Sequence, residues 1–402
     1  MSNKIIIILV GMPARGKSYT SNNLSRYLNW CGINSKVFNC GDYRRKIIGG
    51  FQDANFFDFN NQENFNKKEE ISKICFNDLI NWIDDTGEIA IFDATNSIKE
   101  RRSFLKYNCG KYSDNLLFVE LITNNKDIIL NNLNLKIKSQ DYVNSRDKKF
   151  ATDDFKKRIA FYNNIYQTIE DNENLRYIKL INFNEKIFIN NVFGINESLV
   201  MSYLMNLKLN NFPIYLTRHG QSENNLNMII GGDPNITNLG DKYAKELHRH
   251  MCNEISDDFV IFTSCLNRTI QTAKYFKQDK IHSRLLNEIH GGICENMSYK
   301  DIEQIYPKIC KERKEDKLRF RYPQGESYID LIERLKYFVL ELNKYNKPIL
   351  IIAHNAIIKV LLGYFIGIKH DKIPYSEIEL NTLIRLTPNS HNYAITYNKL
   401  IN

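Results

Sequence analysis

The sequence predicts two α/β domains, and three observations carry that expectation. Apolar, β-rich runs alternate with helix-periodic segments through the first half; the alternation breaks near residue 207 and restarts near 213. The third is composition: 402 residues with 43% hydrophobic and 25% charged positions are an ordinary globular balance, with length for two or three domains. Collagen, coiled coil and full-length disorder are excluded. No stretch approaches the ~20 apolar residues that span a bilayer. Ile5–Val10 follows only a lysine and ends in a glycine-rich turn, so it reads as a buried strand and not as a secretory signal.

In the first half, residues 4–10, 36–39, 88–92, 116–122 and 176–181 predict strands, with helices at 18–30 and 72–83 between them. Such alternation predicts a mainly parallel sheet. The second series has strands at 213–217, 259–263 and 348–352, with a helix at 328–343 before the last. Between the two, residues 198–207 predict an amphipathic helix, broken by Asn210, Asn211 and Pro213. The boundary therefore falls near 210, giving domains 1–210 and 211–402. Nothing there resembles a flexible tether, which predicts packed domains.

The eight cysteines include no CxxC pair, and their scatter predicts free thiols in a reducing, cytoplasmic setting. The net charge of +9 is interleaved with Asp and Glu and forms no basic tract. Small anionic substrates account for it as well as nucleic acid does.

Gly11-Met12-Pro13-Ala14-Arg15-Gly16-Lys17-Ser18 fits G-x-x-x-x-G-K-[ST] between a predicted strand and a predicted helix. The chemistry sets the spacing. Backbone N–H groups and the helix N-terminus surround a β-phosphate, Lys17 bridges β and γ oxygens, and Ser18 helps hold Mg²⁺. ATP and Mg²⁺ are the expected cofactors. Asp93, closing the third strand, stands where such a fold places a second Mg²⁺-holding or water-holding carboxylate; its plainer role is to cap the helix beginning near Ser97. Lys99, Arg101, Arg102, Arg44, Arg45, Lys136 and Arg158 follow strands or begin helices and suit an anionic phosphoryl acceptor.

The second half carries Leu216-Thr217-Arg218-His219-Gly220 after a strand, then Asn267-Arg268-Thr269, Asn287-Glu288-Ile289 and Ala353-His354-Asn355. A neutral imidazole can attack phosphorus, guanidinium groups can fork onto its oxygens, and a carboxylic acid must protonate the departing alkoxide. Arg218, His219, Arg268, Glu288 and His354 supply each part without a metal. His248, His250, His282, His370 and His391 have no motif around them, and His248 and His250 lack the i, i+4 spacing of a zinc pair.

With these two sites in this order, the chain resembles the 6-phosphofructo-2-kinase/fructose-2,6-bisphosphatase family, bifunctional enzymes that make and break fructose 2,6-bisphosphate. The resemblance runs over residues 5–387, most specifically at 11–18, 27–39, Gly41-Asp42-Tyr43-Arg44-Arg45, 89–102, Asp153-Asp154-Phe155, 268–273 and 321–328. It implies a P-loop fold followed by a histidine-phosphatase fold of the phosphoglycerate-mutase type. By the same resemblance, Lys17, Ser18, Asp93 and Lys136 serve MgATP, with Gly11, Ala14, Arg15, Gly16, Tyr19 and Asn131 around the nucleotide. Arg44, Arg45, Thr95, Arg101, Arg158 and Tyr162 would hold fructose 6-phosphate. His219 would be the phosphorylated nucleophile and Glu288 the acid and then the base, with His354, Arg218, Asn225, Gly231 and Arg268 around the phosphate. Tyr299, Arg313, Lys317, Tyr328, Asn355 and Lys359 would hold the rest of the bisphosphate. The implied partners are these two sugar phosphates, with no nucleic acid and no membrane; a homodimer is compatible.

Four positions depart from the family's pattern. Lys68 stands nearest the place of a usual Arg, Asn355 replaces Gln, Lys359 replaces Arg, and His290 replaces Asp two places after the acid. Side chains two apart in an extended segment point the same way, so His290 is expected to share the pocket of Glu288 and, when protonated, to depress its pKa. The plainer expectation has it facing solvent. Two rival functions make different demands. A nucleic-acid end-processing kinase and phosphatase would want a basic groove with stacking aromatics and a nucleophilic Asp pair. A metabolite sensor without turnover would not need Lys17, Asp93, His219 and Glu288 together. A kinase-dominant form with weak or lost bisphosphatase is the alternative that His290 and Lys359 leave open.

Overall fold

A strand covered on both faces needs an unbroken apolar run, and Ile5–Val10 is buried along its whole length as the inner strand β1 of the first sheet. The computed structural model describes residues 4–137, 141–142, 148–183, 185–208, 211–389 and 392–401. It divides into two compact units, Met1–Leu209 and Asn210–Asn402. His391 and the expected boundary at residue 210 lie outside the described residues.

In the first unit, β2 (Ser35–Asn39), β3 (Ile89–Asp93), β4 (Leu116–Ile122), β5 (Tyr177–Ile181) and β6 (Lys186–Asn190) join β1 in the order β2-β3-β1-β4-β5-β6. All pairs are parallel except β5 with β6. Only residues 182–185 separate that last pair, and so short a link can only reverse the chain. Among the described residues, seven α-helices accompany the sheet: α1 (Lys17–Trp30), α2 (Cys40–Ile48), α3 (Gln62–Asp85), α4 (Lys99–Asn108), α5 (Lys126–Ile137), α6 (Lys148–Asn163) and α7 (Ile195–Asn206). Phe38, Phe76, Leu79, Phe92, Leu105 and Phe118 form the core between α3, α4 and the sheet. The carboxyl ends of β1, β2 and β3 meet at one edge, where open α/β sheets place ligands.

The second unit repeats the principle with β7 (Ile214–Arg218), β8 (Val260–Thr263), β9 (Lys280–His282), β10 (Ile349–Ala353), β11 (Thr382–Pro388) and β12 (Tyr393–Lys399). Their order is β12-β11-β7-β10-β8-β9, parallel from β7 to β9, with β11 and β12 added antiparallel. Its helices are α8 (Glu223–Leu226), α9 (Asn238–Glu254), α10 (Asn267–Thr272), α11 (Tyr299–Ile305), α12 (Pro307–Glu315), α13 (Tyr328–Leu342) and α14 (Asn355–Ile366). Helix α13 buries Leu331, Leu335, Phe338 and Leu342 along one face, the period its sequence shows. The strands expected from sequence each lie within a residue of an observed one. Among the described residues no helix is long and apolar enough to cross a membrane.

One cation leaves the ligand-binding set. Arg102 is fully buried in an ion pair with Glu173, with Nη2 2.6 Å and Nε 2.8 Å from its two oxygens. The same guanidinium donates to the carbonyls of Asn96, Gln167 and Thr168. It braces α4 against residues 167–173 and has nothing left for a substrate, contrary to the expectation from its place after β3. Glu120, also fully buried, holds the same segment by accepting from Tyr166 Oη, Thr168 Oγ1 and Ile169 N.

Breaking such a pair strands a buried charge. Arg102→Ala should lower the stability of the first unit by about 3–5 kcal/mol in urea denaturation, and replacing Arg102 and Glu173 together by Met should recover much of that. A loss below ~1 kcal/mol in the single variant would refute the bracing role.

Candidate active sites

The loop after β1 has the conformation a phosphate cradle requires. Gly11 has φ +142°, and a side chain there would meet Leu121 O at 2.6 Å; Gly16 has φ +85°, and a side chain would strike the Phe183 ring at 2.7 Å. Ala14 sits at φ 60°, its carbonyl accepting from Asn132 Nδ2 at 3.0 Å. Asn131, the expected nucleotide contact, is exposed, and it is its neighbour Asn132 that bonds the loop. Arg15 is buried, and Tyr19 Oη donates to Lys208 O at 2.9 Å while its ring meets Phe183 edge-on. Lys17 folds back over the loop, donating to Gly11 O at 2.7 Å and Met12 O at 2.8 Å. Burial drives its pKa down to about 7 despite the opposing pull of Asp93.

Asp93 closes β3, buried, and Ser21 Oγ donates to it at 3.3 Å. Asn39, closing β2, donates from Nδ2 both to Asp93 and to Ser18 Oγ, while its Oδ1 caps α2 by accepting from Asp42 N at 3.2 Å. Burial raises the Asp93 pKa against Lys17 and the hydrogen bonds from Ser18 and Asn39. The sequence reading missed Asn39, although its strand-end position matches that of Asp93.

Beyond this edge lies a field of cations. Asp141, also missed from sequence, stands between Arg44 Nη2 (2.6 Å), Arg45 Nη1 (2.9 Å) and Lys136 Nζ (3.4 Å). Burial opposes its ionisation, but Lys136, Arg44 and Arg45 outweigh that and hold its pKa below the usual range. Arg158 lies over the Phe57 ring at 3.5 Å, its Nε buried without a hydrogen-bond partner among the described residues. Lys68 Nζ is likewise without one, 4.2 Å over Phe59, its pKa pushed down to about 8 by burial and then by Arg158. Arg101 pairs with Glu69 at 2.5 Å and touches Ser72, Tyr162 packs on Phe59, and Thr95 O accepts from Gly11 N at 2.9 Å. Lys17, Arg44, Arg45, Lys68, Lys136 and Arg158 thus share one field with two buried carboxylates, Asp93 and Asp141. The surplus suits a polyanion.

In the second unit, Gly220 explains the R-H-G turn. A side chain there would lie 2.5 Å from Gly240 O, and one at Gly240 2.3 Å from Gln221 O, so the loop presses directly on the first turn of α9. His219 Nδ1 lies 2.7 Å from Gly220 O. A carbonyl only accepts, so Nδ1 carries the hydrogen and Nε2 a lone pair. Burial, then Arg268, then Arg218 bring the His219 pKa down to about 3, which keeps the ring neutral. His354 begins where β10 ends, fully buried, its ring 5.2 Å from that of His219; burial and Arg268 hold its pKa well below normal. Arg218 donates to Ile378 O and Arg268 to Gly232 O, both at 2.9 Å.

Glu288 Oε1 accepts from Ile289 N at 2.9 Å, and burial raises its pKa despite that bond and both arginines. Arg334, missed from sequence, donates to Leu285 O, Asn287 O and Glu326 and so fixes the segment carrying Glu288. His290 does not share the pocket of Glu288. It is exposed, with Nδ1 accepting from Gly292 N at 3.0 Å and its backbone N–H donating to Glu326. Glu288 and His290 lie between two 3-10 turns, Arg284–Leu286 and Gly292–Cys294, outside any strand, so strand-like alternation does not apply.

Around these, Asn225 spends its Oδ1 on Ser222 N and Oγ, and Gly231 has φ +67° where a side chain would overlap Glu295. Arg313 lies over Tyr299 at 5.9 Å, and Tyr328 is buried close to Glu288 and Arg313. Lys359 Nζ donates to Pro374 O at 3.1 Å; Lys317 is brought to about 8 by burial, then by Lys359 and Arg313. Asn355 Oδ1 is buried without a partner among the described residues.

A P-loop beside a cationic acceptor field, followed by two neutral imidazoles among arginines, defines a phosphotransferase joined to a histidine phosphatase. The model of 6-phosphofructo-2-kinase matches residues 1–211, and that of the histidine phosphatase superfamily (branch 1) matches 214–399. The chain is 38% identical to the Rattus norvegicus protein 6-phosphofructo-2-kinase/fructose-2,6-bisphosphatase 4, over 95% of its own length and 82% of that protein's. It is 37% identical to a Saccharomyces cerevisiae protein named fructose-2,6-bisphosphatase, over 98% of this chain and 88% of that one. The chain belongs to the 6-phosphofructo-2-kinase/fructose-2,6-bisphosphatase family and carries both of its domains. Among solved structures, the alpha-ribazole phosphatase of Shigella flexneri matches at 20% identity and a TM-score of 0.43, covering 47% of this chain and 96% of that one.

With a pKa of about 7, Lys17 is mostly neutral at pH 8 in the free protein. Nucleotide phosphates raise that pKa, so metal-free nucleotide should bind at pH 8 with uptake of about one proton, falling toward zero by pH 6. Calorimetry in buffers of different ionisation enthalpy measures this. Undiminished uptake in Lys17→Met would assign the proton elsewhere.

Proposed function

We propose that the first half transfers the γ-phosphoryl group of ATP to the 2-hydroxyl of fructose 6-phosphate, and that the second hydrolyses that 2-phosphate through a phosphohistidine at His219. The observation that carries the reading is the tandem of two phosphate sites with different chemistry. The first has a surplus of cations beside a phosphate-binding loop. The second has a tethered neutral imidazole and an acid whose pKa is raised.

In the kinase half, Lys17 and the loop N–H groups hold the nucleotide phosphates, and Lys136 lies between these and the acceptor. Arg44, Arg45, Arg101 and Arg158, with Thr95 and Tyr162, bind the sugar phosphate. Ser18 and Asp93 are hard oxygen donors brought together by Asn39, which fits Mg²⁺; when bound, the ion neutralises charge on the phosphate oxygens. Positioning and charge neutralisation carry the transfer.

In the bisphosphatase half, His219 Nε2 attacks phosphorus while Arg218, Arg268 and His354 take the oxygens. The bond from phosphorus to the sugar oxygen breaks as Glu288 gives that oxygen its proton. The carboxylate so formed removes a proton from water, which displaces phosphate from His219 and restores the neutral ring. Arg313, Lys317, Lys359, Tyr299 and Tyr328 grip the other phosphate.

The chain works in the cytoplasm, a setting supported by free thiols at Cys40, Cys75, Cys109, Cys252, Cys265, Cys294 and Cys310. It acts as a homodimer; β6, an edge strand exposing Phe188 and Ile189, offers a surface for a second copy.

Lys17→Met should abolish synthesis of fructose 2,6-bisphosphate and leave its hydrolysis near wild type. His219→Ala should do the reverse and should also remove acid-labile label transferred from [2-³²P]fructose 2,6-bisphosphate. Equal loss of both activities in either variant would defeat the two-site assignment.

A further inference from the structure

Strands β8 and β10 pair in parallel with Thr263 opposite Ile352, so Ser264 and His354 leave neighbouring strand ends on the same edge. Ser264 is fully buried, and its Oγ lies 2.8 Å from His354 Nε2. Two more groups reach the same oxygen: Leu266 N–H at 3.1 Å and Thr269 Oγ1 at 2.8 Å. A hydroxyl has two acceptor sites and one hydrogen. With Leu266 N–H and Thr269 O–H donating, the Ser264 hydrogen goes to His354 Nε2. A neutral imidazole that accepts at Nε2 carries its proton on Nδ1. That nitrogen is buried without a hydrogen-bond partner among the described residues, in a ring 5.2 Å from His219.

We infer that Ser264 is a positioning residue: backed by Thr269 and Leu266, it fixes His354 as the Nδ1–H tautomer and so presents an N–H donor to the phosphoryl group carried on His219. The reverse chain has Thr269 donating to Leu266 O, 2.9 Å away, and His354 Nε2–H donating to Ser264. It would leave a lone pair on Nδ1 against phosphate oxygens, two acceptors in contact. The inference rests on the phosphohistidine reading above and adds how the second imidazole is made a donor. Sequence pattern alone gives no sign of it, because Ser264 lies outside the R-H-G and Ala-His-Asn motifs.

The first test is spectroscopic and needs no turnover. Long-range ¹H–¹⁵N spectra of the full chain with ¹⁵N-labelled histidine, assigned by loss of the His354 signals in His354→Gln, should show Nδ1 protonated and Nε2 not. A proton on Nε2 in the wild type would overturn the inference. In Ser264→Ala the preference should relax toward a mixture, and the rate of phosphoenzyme formation should fall about ten- to a hundredfold with little change in KM. Ser264→Thr, which keeps the hydroxyl, should recover most of that rate, and the kinase rate should stay at wild type in both. Wild-type phosphoenzyme formation in Ser264→Ala would also overturn it, provided His219→Ala forms none. Label retained in His219→Ala would defeat the phosphohistidine reading itself. Should Ser264→Ala fail to fold, the wild-type tautomer alone decides.

Discussion

Positive charge held out of water without matching negative charge is the constraint on which both halves depend. A buried ammonium is expensive, and in the first half burial and like-charged neighbours bring Lys17 to about 7 and Lys68 to about 8. The two buried carboxylates do not balance Lys17, Arg44, Arg45, Lys68, Lys136 and Arg158, although Asp42 pairs with Arg45 and Asp58 and Glu69 act on Lys68 from the rim. Such an arrangement persists only if the scaffold is stiff enough not to collapse onto the charges. The inner strands β1 and β10, buried from end to end, provide that stiffness, and their carboxyl edges hold the charged loops.

The same reasoning separates a bracing arginine from a binding one. Arg102 has a two-oxygen partner and three carbonyls, so its bonding is complete and an anion could add little. Arg158 lies on an aromatic face, and its buried Nε has no hydrogen-bond partner among the described residues, so among those residues its bonding is not complete as that of Arg102 is. In the second half, the arginines also act on the histidines. Arg268 and Arg218 push the His219 pKa down, so in the proposed reaction the groups that attract an anion would also keep the nucleophile unprotonated. Glu288 escapes the opposite effect because burial outweighs both arginines and keeps its pKa raised, as a proton donor needs.

The legible part of this chain was the part in which spacing is chemistry. Apolar runs located the strands, and G-x-x-x-x-G-K-S and R-H-G fixed residues that act through local backbone geometry. Residues that act through folding alone were not legible. Asp141 meets Arg44 and Arg45 across almost a hundred positions, and Asn39 reaches Ser18 and Asp93 from another strand. Arg334 holds the Glu288 segment from a helix that sequence could place but could not orient. His290 failed for a related reason. Alternation holds only within a strand, and Glu288 and His290 lie between two 3-10 turns where no strand forms. Asn132 was not singled out either, although its side chain donates to Ala14 O on the loop from a helix that sequence alone does not orient.

Of the departures in the second half, His290 faces solvent, Asn355 adjoins His354, and Lys359 lies close enough to feel Arg218 and Glu288. His290 therefore leaves the proton donor Glu288 to burial, Ile289 N–H and the arginines. Lys359 gives one hydrogen to Pro374 O, which leaves two for a ligand on a point charge that cannot fork as a guanidinium does. Its field also helps bring Lys317 to about 8, so these two lysines hold their charge best when a phosphate lies between them. A weaker outer grip reduces binding in the ground state and the transition state alike, because the outer phosphate undergoes no change in the reaction. His219, tethered to Gly220 O and set among the arginines, is a neutral imidazole whose pKa is lowered by groups that do not include residue 359. The charge at 359 reaches Glu288 and Arg218 as well as Lys317, so it bears on the acid and on the outer grip together.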